Sequence, residues 1–566
     1  MTVSSQPADQ SLTAPENQSP PCKVLMIYPR FSANSFWNYS KTCELAGAKY
    51  PAAPLGLITV AALLPKSWTV RLINRNTETL SDEDIAWADM VMTGGMLPQQ
   101  PDCLDLMEKC RAMGKPVVVG GPDATSTPEI YAHADFLVLG EAEEIMKDFV
   151  ATWDSGGRRG RYQKPMGETD VTTSPTPRFD LLKFDEYLHV GVQFSRGCPF
   201  NCEFCDIIEL YGRVPRTKST EQILAELDAL YALGYRGHVD FVDDNLIGNK
   251  KALRKFLPHL MDWQVKHRFP FELSTEASVN LSDDEPLMRD LSKANFFAVF
   301  VGIESPDAET LVAMQKKQNT KRSLVDSIES IHKAGIFVNA GFIVGFDSEN
   351  GSAAPGIIAC IEACAIPVCM TGLLYALPNT QLERRLIKEG RLHVAFDDID
   401  MKRMGDQCTA GLNFATHRPR REILKDYRDV LEAIYTPEAF FGRVKRLARL
   451  LGCENHVLPT SGPTIIRDLR SVFRLIMRIG ASRPGASRAF WNTIGDCLTH
   501  NRRALPDVIK VSALYLHIGP FAQYVIGRID EQIAEIDSGH WQEPALVVAE
   551  DVAANGLRRK VPVSVS

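Results

Sequence analysis

Long hydrophobic runs are missing from this 566-residue chain. No stretch of about 18 uncharged apolar residues occurs, so a membrane-spanning helix is not expected. The nearest approach, Val511 to Gly527, is interrupted by His517, Pro520 and Gln523. Net charge is also small, at −7 from 63 basic and 70 acidic residues. The chain as a whole is no polycation, and nucleic acid is not an expected partner. Residues 1–21 lack the basic start and apolar centre of a secretory signal. They are rich in Ser, Pro, Gln, Thr and Ala and read as a disordered tail. The 13 cysteines show no paired framework, which speaks against a secreted disulfide scaffold and for a reducing cytoplasm.

Three of those cysteines stand apart. Cys198, Cys202 and Cys205 lie in Ser-Arg-Gly-Cys-Pro-Phe-Asn-Cys-Glu-Phe-Cys, a Cys-x3-Cys-x2-Cys run. Three thiolates on one short loop can hold three irons of a 4Fe–4S cube and leave the fourth open, whereas a four-cysteine ferredoxin site uses up every iron. A zinc site would add a second cysteine knuckle or two histidines, and no second knuckle lies nearby. Cys360 and Cys364 fall one helical turn apart, close to Cys369, and read as core cysteines rather than as a second cluster.

This spacing, with the aromatic Phe204 just before the last cysteine, resembles the radical S-adenosylmethionine (radical SAM) superfamily. The resemblance implies that the open iron chelates SAM and that cluster electrons cleave it. It also implies a partial (β/α)6 barrel over residues 179–395. Strands are expected at Val190–Phe194, His238–Val242, Phe271–Thr275, Ala298–Gly302, Phe337–Val344 and Val368–Leu374. Active sites of such barrels lie at the carboxyl ends of strands. There the resemblance assigns Asp243 or Asp244 to the SAM ammonium and Glu304 with Ser305 to the ribose. Phe204, Glu276 and Gly341 are placed at the same site.

Residues 22–153 read as a doubly wound parallel sheet, with strands beginning at Lys23, Trp68, Met90, Pro116 and Phe136 and a helix at Pro54–Leu64. Three of the strands end in Gly-Gly or Gly-Glu, and ligands bind such sheets beyond the carboxyl ends of strands. No Gly-x-Gly-x-x-Gly follows the first strand, so a dinucleotide is not expected. The region resembles the Rossmann-like cobalamin-binding domain that precedes many radical SAM cores. On that resemblance Gly94, Gly95, Met96, Leu97, Gln99, Gly120, Gly121, Gly140 and Glu141 are the candidate cobalamin contacts. The Asp-x-His-x-x-Gly motif that supplies a lower cobalt ligand elsewhere is absent, so the cobalt would face apolar or amide side chains. Residues 154–178 read as a solvated linker.

Residues 396–566 read as a helical C-terminal domain. Over 411–520 there are 18 Lys and Arg against 9 Asp and Glu. Within one expected helix, Ile465–Ile479, Arg467, Arg470, Arg474 and Arg478 recur at spacings of three and four, with Leu469, Val472, Phe473 and Ile476 on the other face. The simplest packing buries the apolar face and leaves the arginines in water. The alternative rests the helix on an anionic membrane surface.

A cobalamin domain joined to a radical SAM core implies methylation of an unactivated carbon, with two SAM molecules per turnover, one cleaved and one donating methyl. The helical extension, with Ser35-Phe36-Trp37, Trp87-Ala88-Asp89 and Tyr435-Thr-Pro, resembles a subgroup that includes hopanoid and bacteriochlorophyll methylases. The layout is closest to the hopanoid methylases that act on ring A. The resemblance then implies a small-molecule lipid substrate, a flavodoxin- or ferredoxin-type electron donor, and peripheral contact with the inner face of the cell membrane. A rigid polycycle needs an apolar, aromatic-lined cleft, to which Phe36, Trp37, Phe296, Phe297, Phe440 and Phe441 could contribute. Tetrapyrrole methylation or cyclisation, methylthiolation of RNA or protein, and a non-enzymatic corrinoid or iron–sulfur sensor are the alternatives.

Overall fold

Six short strands build the first sheet: β1 (Lys23–Tyr28), β3 (Thr69–Asn74), β4 (Met90–Gly94), β5 (Val117–Gly120), β6 (Phe136–Leu139) and β7 (Gly160–Gln163). They run parallel in the order β3-β1-β4-β5-β6-β7. The central strands are apolar throughout because both faces are covered. Leu25, Ile27, Val91 and Val119 pack on one side, and Val24, Met26, Met92 and Val118 on the other. The computed structural model describes residues 19–32, 34–394, 408, 411–453, 462–481 and 484–548. Residues 1–18 of the expected tail lie outside them, as do residues 395–407 at the start of the expected helical domain.

The expected linker is more than a connection. Its Gly160–Gln163 forms β7, which pairs with β6 and closes the sheet's edge. Flanking Gly and Arg residues concealed a four-residue strand whose alternating burial leaves it little apolar signal.

The second sheet has seven parallel strands in the order β15-β14-β13-β12-β11-β8-β2. Six match the expected barrel units: β8 (Tyr187–Val192), β11 (Gly237–Phe241), β12 (Phe271–Glu276), β13 (Phe296–Glu304), β14 (Phe337–Val344) and β15 (Cys369–Leu373). The seventh, β2 (Tyr50–Ala52), comes from the first region, and Tyr50 pairs with Tyr187. Phe31, Phe36 and Leu45 also join the barrel's core, so the N-terminal segment is shared between the two sheets. A two-stranded antiparallel ribbon, β9 (Ser195–Arg196) with β10 (Arg216–Thr217), brackets the cysteine loop.

Helices pack around the half-barrel. They are α1 (Ser40–Ala46), α2 (Ala354–Ala363), α3 (Arg420–Ile434), α4 (Pro437–Leu450), α5 (Gly462–Leu475), α6 (Pro484–His500) and α7 (Leu505–Asp537). Of these, α1, α5 and α7 contribute to the walls of its lumen. A π-helical turn, Ile476–Gly480, follows α5. Long α7 packs against α1, α3, α4 and α6. Arg443 of α4 is fully buried; it donates to the Ile366 and Ile434 carbonyls and pairs with Glu362 of α2. That clasp fixes the helical region to the barrel. Cys360 lies in α2 and Cys364 caps its carboxyl end, both within the apolar core, with sulfurs 3.9 Å apart. No helix among the described residues is long and apolar enough to cross a membrane.

Candidate active site

The cysteine loop hangs from the carboxyl end of β8 and is held by two neighbouring carboxylates at the end of β11. Asp243 is buried and accepts from the Phe194 amide at 3.0 Å, from the Ser195 amide, and from the Ser195 hydroxyl at 2.5 Å. Asp244 accepts from the Gly197 amide at 2.9 Å. Both carboxylates therefore position the chain leading into Cys198. Asp243 has both oxygens committed, so of the two aspartates expected at the SAM ammonium only Asp244 keeps an oxygen for it. Burial pushes Asp243 up to about 7 and Asp244 up to about 6.

The three thiols suit a cluster. Each is partly or fully withdrawn from solvent, and the loop carries no fourth cysteine. The Asn245 amide lies 4.0 Å from the Cys198 sulfur and the Gln318 amide 3.9 Å from the Cys202 sulfur. N–H groups directed at sulfur stabilise thiolate charge.

Around this loop the expected SAM residues converge, with additions. Glu304 sits at a bulge in β13 with φ +67° and pairs with Lys316 at 2.5 Å. Burial disfavours the Lys316 ammonium, but Glu304 outweighs it and holds the group above its ordinary range. Neighbouring Ser305 is buried, and its hydroxyl accepts from the Asp307 amide. Phe204 packs against Phe346, ring centres 6.0 Å apart, and Lys316 lies over its ring. Gly341 faces the lumen, where a Cβ would meet the Phe300 ring at 3.2 Å.

The first sheet turns its carboxyl rim towards this mouth. Glu141, just beyond β6, pairs with Arg196 and Arg216 at 3.1 and 2.8 Å, and Glu143 pairs with Arg196 at 2.6 Å. Asn379, beyond β15, donates to the Ser126 carbonyl at 2.8 Å. The carboxyl ends of both sheets thus confront one another. Gly94, Gly95, Gly120, Gly121 and Gly140 form the facing rim, with Gly121 and Gly140 at φ +88° and +86°. Met96 is exposed there, and Leu97 is half-buried. That glycine-lined rim with an apolar side chain fits a corrin face. Two of the expected contacts have other duties. Gln99 is fully buried, donating to the Pro29 carbonyl and accepting from the Met96 amide. Glu141 is spent on the inter-sheet ion pairs.

Below the mouth lies a cavity of about 1780 Å³ inside the half-barrel, larger than the roughly 300–1,000 Å³ of common small-molecule pockets. Trp37, Phe297, Phe300 and Phe337 line it together with His189, His238, Asp240, Ser274, Glu276 and Asn339. Of the six aromatics expected in a cleft, only Trp37 and Phe297 reach it. Phe36, Phe296, Phe440 and Phe441 are buried in the core. Trp37 lies 5.6 Å from Phe300, and both rings line the cavity, Phe300 also lying against Gly341. The cavity's polar stripe is ordered. Ser274 donates to Asp240, and the His238 Nε2 lies 2.6 Å from the Ser274 oxygen. The serine hydrogen being committed, His238 is the donor in that contact. Burial pushes His238 down to about 3, so it is neutral. Glu276 is exposed, but into the cavity rather than on the outer surface; the enclosing walls and then Asp240, Asp244 and Asp243 push its carboxyl up to about 8.

A glycine-rimmed parallel sheet facing the three-cysteine mouth of a half-barrel defines a two-cofactor enzyme. Comparison with known proteins agrees: the B12 binding domain matches residues 43–150, the Radical SAM superfamily residues 192–359, and a domain of unknown function (DUF4070) residues 380–531. An uncharacterized methyltransferase of Synechocystis sp. is 41% identical over 92% of this chain and 96% of its own. The hopanoid C-2 methylase of Rhodopseudomonas palustris is 35% identical over 83% and 88%. Among solved structures, the radical SAM methyltransferase TsrM from Kitasatospora setae, with cobalamin and a [4Fe–4S] cluster bound, aligns over 85% of this chain and 99% of its own, with a TM-score of 0.55 at 14% identity. The chain belongs to the cobalamin-binding radical SAM methyltransferases. Its cofactors are a 4Fe–4S cluster, SAM and cobalamin.

Sequence reasoning missed Arg196, Arg216, Lys316 and Phe300. The first two flank the cysteine loop and offered one signal, two arginines beside a metal-binding turn, but their partners lie in another domain. Lys316 and Phe300 had no local signal, since each matters only through a neighbour across the barrel.

Proposed function

We propose that this protein methylates an unactivated carbon of a rigid, apolar polycyclic lipid, with C-2 of a hopanoid as the preferred assignment. The observation that carries this is the lumen: a large cavity with aromatic walls directly beneath the facing cofactor rims. Supporting it, the relative with 35% identity is named for that reaction. When bound, the cofactors supply hydrogen-atom abstraction and a transferable methyl group. The chain's own residues do the rest. Asp243 and Asp244 set the cysteine loop, Lys316 and Glu304 order the SAM end, and Trp37 with Phe300 gives the cavity an aromatic wall for an apolar ring system. The half-buried His238–Ser274–Asp240 stripe gives the lumen one polar wall, which orients a substrate with few polar groups.

The electron needed for each cleavage comes from a small flavodoxin- or ferredoxin-type protein. The test is lipid analysis of a host with and without the gene. Appearance of a triterpenoid carrying one additional ring-A methyl supports the assignment; unchanged triterpenoids with a methylated tetrapyrrole would replace it.

A further inference from the structure

The sequence predicts arginines in water and a buried apolar face on α5; Arg470 and Arg474 are exposed as expected, but part of the apolar face is exposed as well. Leu469, Phe473 and Met477, four residues apart, are 64%, 64% and 52% exposed. Two of the arginines also reach α1 along the surface: Arg474, itself exposed, lies 3.5 Å from the Glu44 and Leu45 carbonyls, and half-buried Arg478 pairs with Glu44 at 2.5 Å. The Arg467 side chain lies outside the described residues. Trp491 of α6, 45% exposed, extends this ridge, its indole donating to the Gly480 carbonyl. Single exposed apolar residues are ordinary, but a contiguous apolar ridge marks an interaction surface.

The ridge has two further properties. Exposed Arg470 and Arg488 flank it and make no ion pair among the described residues. This charge arrangement, apolar crest with cations at its sides, complements an anionic bilayer. The same helix also walls the cavity: Val472 and Leu475 line the lumen's lower end with Ile509 and Leu514 of α7, and Arg470 and Arg474 stand at its edge, where their cations can meet lipid phosphates. That end holds the amino ends of the strands, at Tyr187, Gly237 and Phe337. It is therefore opposite the cofactor rims.

We propose that the lower end of the barrel is a lipid portal: α5 and α6 rest on an anionic bilayer through Leu469, Phe473, Met477 and Trp491, and substrate rises from the membrane past Val472 and Leu475 to meet the cofactors from below. This rests on the lipid reading above and adds the route and the surface. It explains how an insoluble substrate can enter while the upper mouth is closed by the ion-paired sheets.

The test uses the reconstituted full-length protein and vesicles that contain no hopanoid, so its outcome is independent of the product assay. The wild-type protein floats with phosphatidylglycerol vesicles and much less with phosphatidylcholine vesicles. The combined variant L469E/F473E/M477E loses on the order of tenfold or more of that binding, because three apolar contacts become like-charge repulsions. Its cluster absorption and melting curve match the wild type. Vesicles with brominated acyl chains quench tryptophan emission, and Trp491→Phe, which keeps an aromatic ring in place should the combined variant misfold, removes most of that quenching. Wild-type protein that floats with neither vesicle overturns the proposal, as does undiminished binding of the combined variant or unchanged quenching in Trp491→Phe. Wild-type dimers that the combined variant dissociates, without vesicle binding, would assign the ridge to a second copy of the chain instead.

Discussion

Arg196, two residues before the first cluster cysteine, is bound to Glu141 of the other sheet at 3.1 Å. The same guanidinium takes Glu143 at 2.6 Å. Burial alone would raise the Glu143 carboxyl, but Arg196 outweighs it and holds the group below its ordinary range. The cysteine loop and the glycine rim of the first sheet, the proposed cluster and cobalamin sites, are thus one electrostatic unit. Arg196→Met leaves buried carboxylates with less compensation and is expected to cost about 3–5 kcal/mol. Adding E141Q and E143Q to that variant restores most of the loss. Denaturant unfolding of the two proteins checks this, and an unchanged midpoint for Arg196→Met would contradict it.

Asp243 separates positioning from binding. Because its oxygens are filled by Phe194 and Ser195, Asp243→Asn should cost about 1–3 kcal/mol, the penalty for a disrupted buried hydrogen-bond set. Iron and sulfide content after reconstitution should fall with it, while chains that do load keep their SAM affinity. Asp244→Asn should instead weaken SAM binding among loaded chains. Iron analysis with calorimetric SAM titration distinguishes the two. Reversed effects would return Asp243 to the SAM ammonium.

The barrel's strands were legible in sequence because buried parallel strands are continuous apolar runs, and all six expected units formed. The three cysteines proposed for the cluster stood out equally in the sequence, since a cluster site depends on local spacing. What was hidden is non-local. Strand β2 joins the barrel through three residues from the first region, too short for any period to register. Gln99 and Glu141 stood at the right rim, yet their side chains answer to Pro29 and Arg196. On α5 the arginines are solvated as expected, but the apolar face is only partly covered: Leu469 and Phe473 stay exposed, because which apolar residues find a neighbour depends on α1 and α7, distant in sequence.

Trp37 and Phe300 form one aromatic patch of the cavity wall, and the Phe300 ring also lies against Gly341. Phe300→Ala opens that patch without touching the cysteine loop. The expected result is continued formation of 5′-deoxyadenosine with less methylated product, measured as a ratio of about one order of magnitude against wild type, a change equivalent to roughly 1.4 kcal/mol of barrier. A parallel fall in both products would instead give Phe300 a structural role.

Glu276 gives the protein without cofactors a pH signature. Its carboxyl is pushed from 4.5 to about 8 in the folded chain, so between those values the folded state holds a proton that the unfolded state has lost. Stability attributable to this group therefore falls as pH rises through that window. Glu276→Gln should flatten the decline in melting temperature between about pH 5 and 8. Equal slopes in variant and wild type would contradict the assignment.

The central claim is that the cavity beneath the cofactors holds a polycyclic lipid for methylation. It is tested most directly by mass spectrometry of reactions containing the reduced, cofactor-loaded protein, methyl-labelled SAM and a hopanoid. The account predicts a labelled methyl on ring A, together with 5′-deoxyadenosine. Cleavage of SAM with no label in the hopanoid, while a tetrapyrrole acceptor becomes labelled under the same conditions, would contradict it.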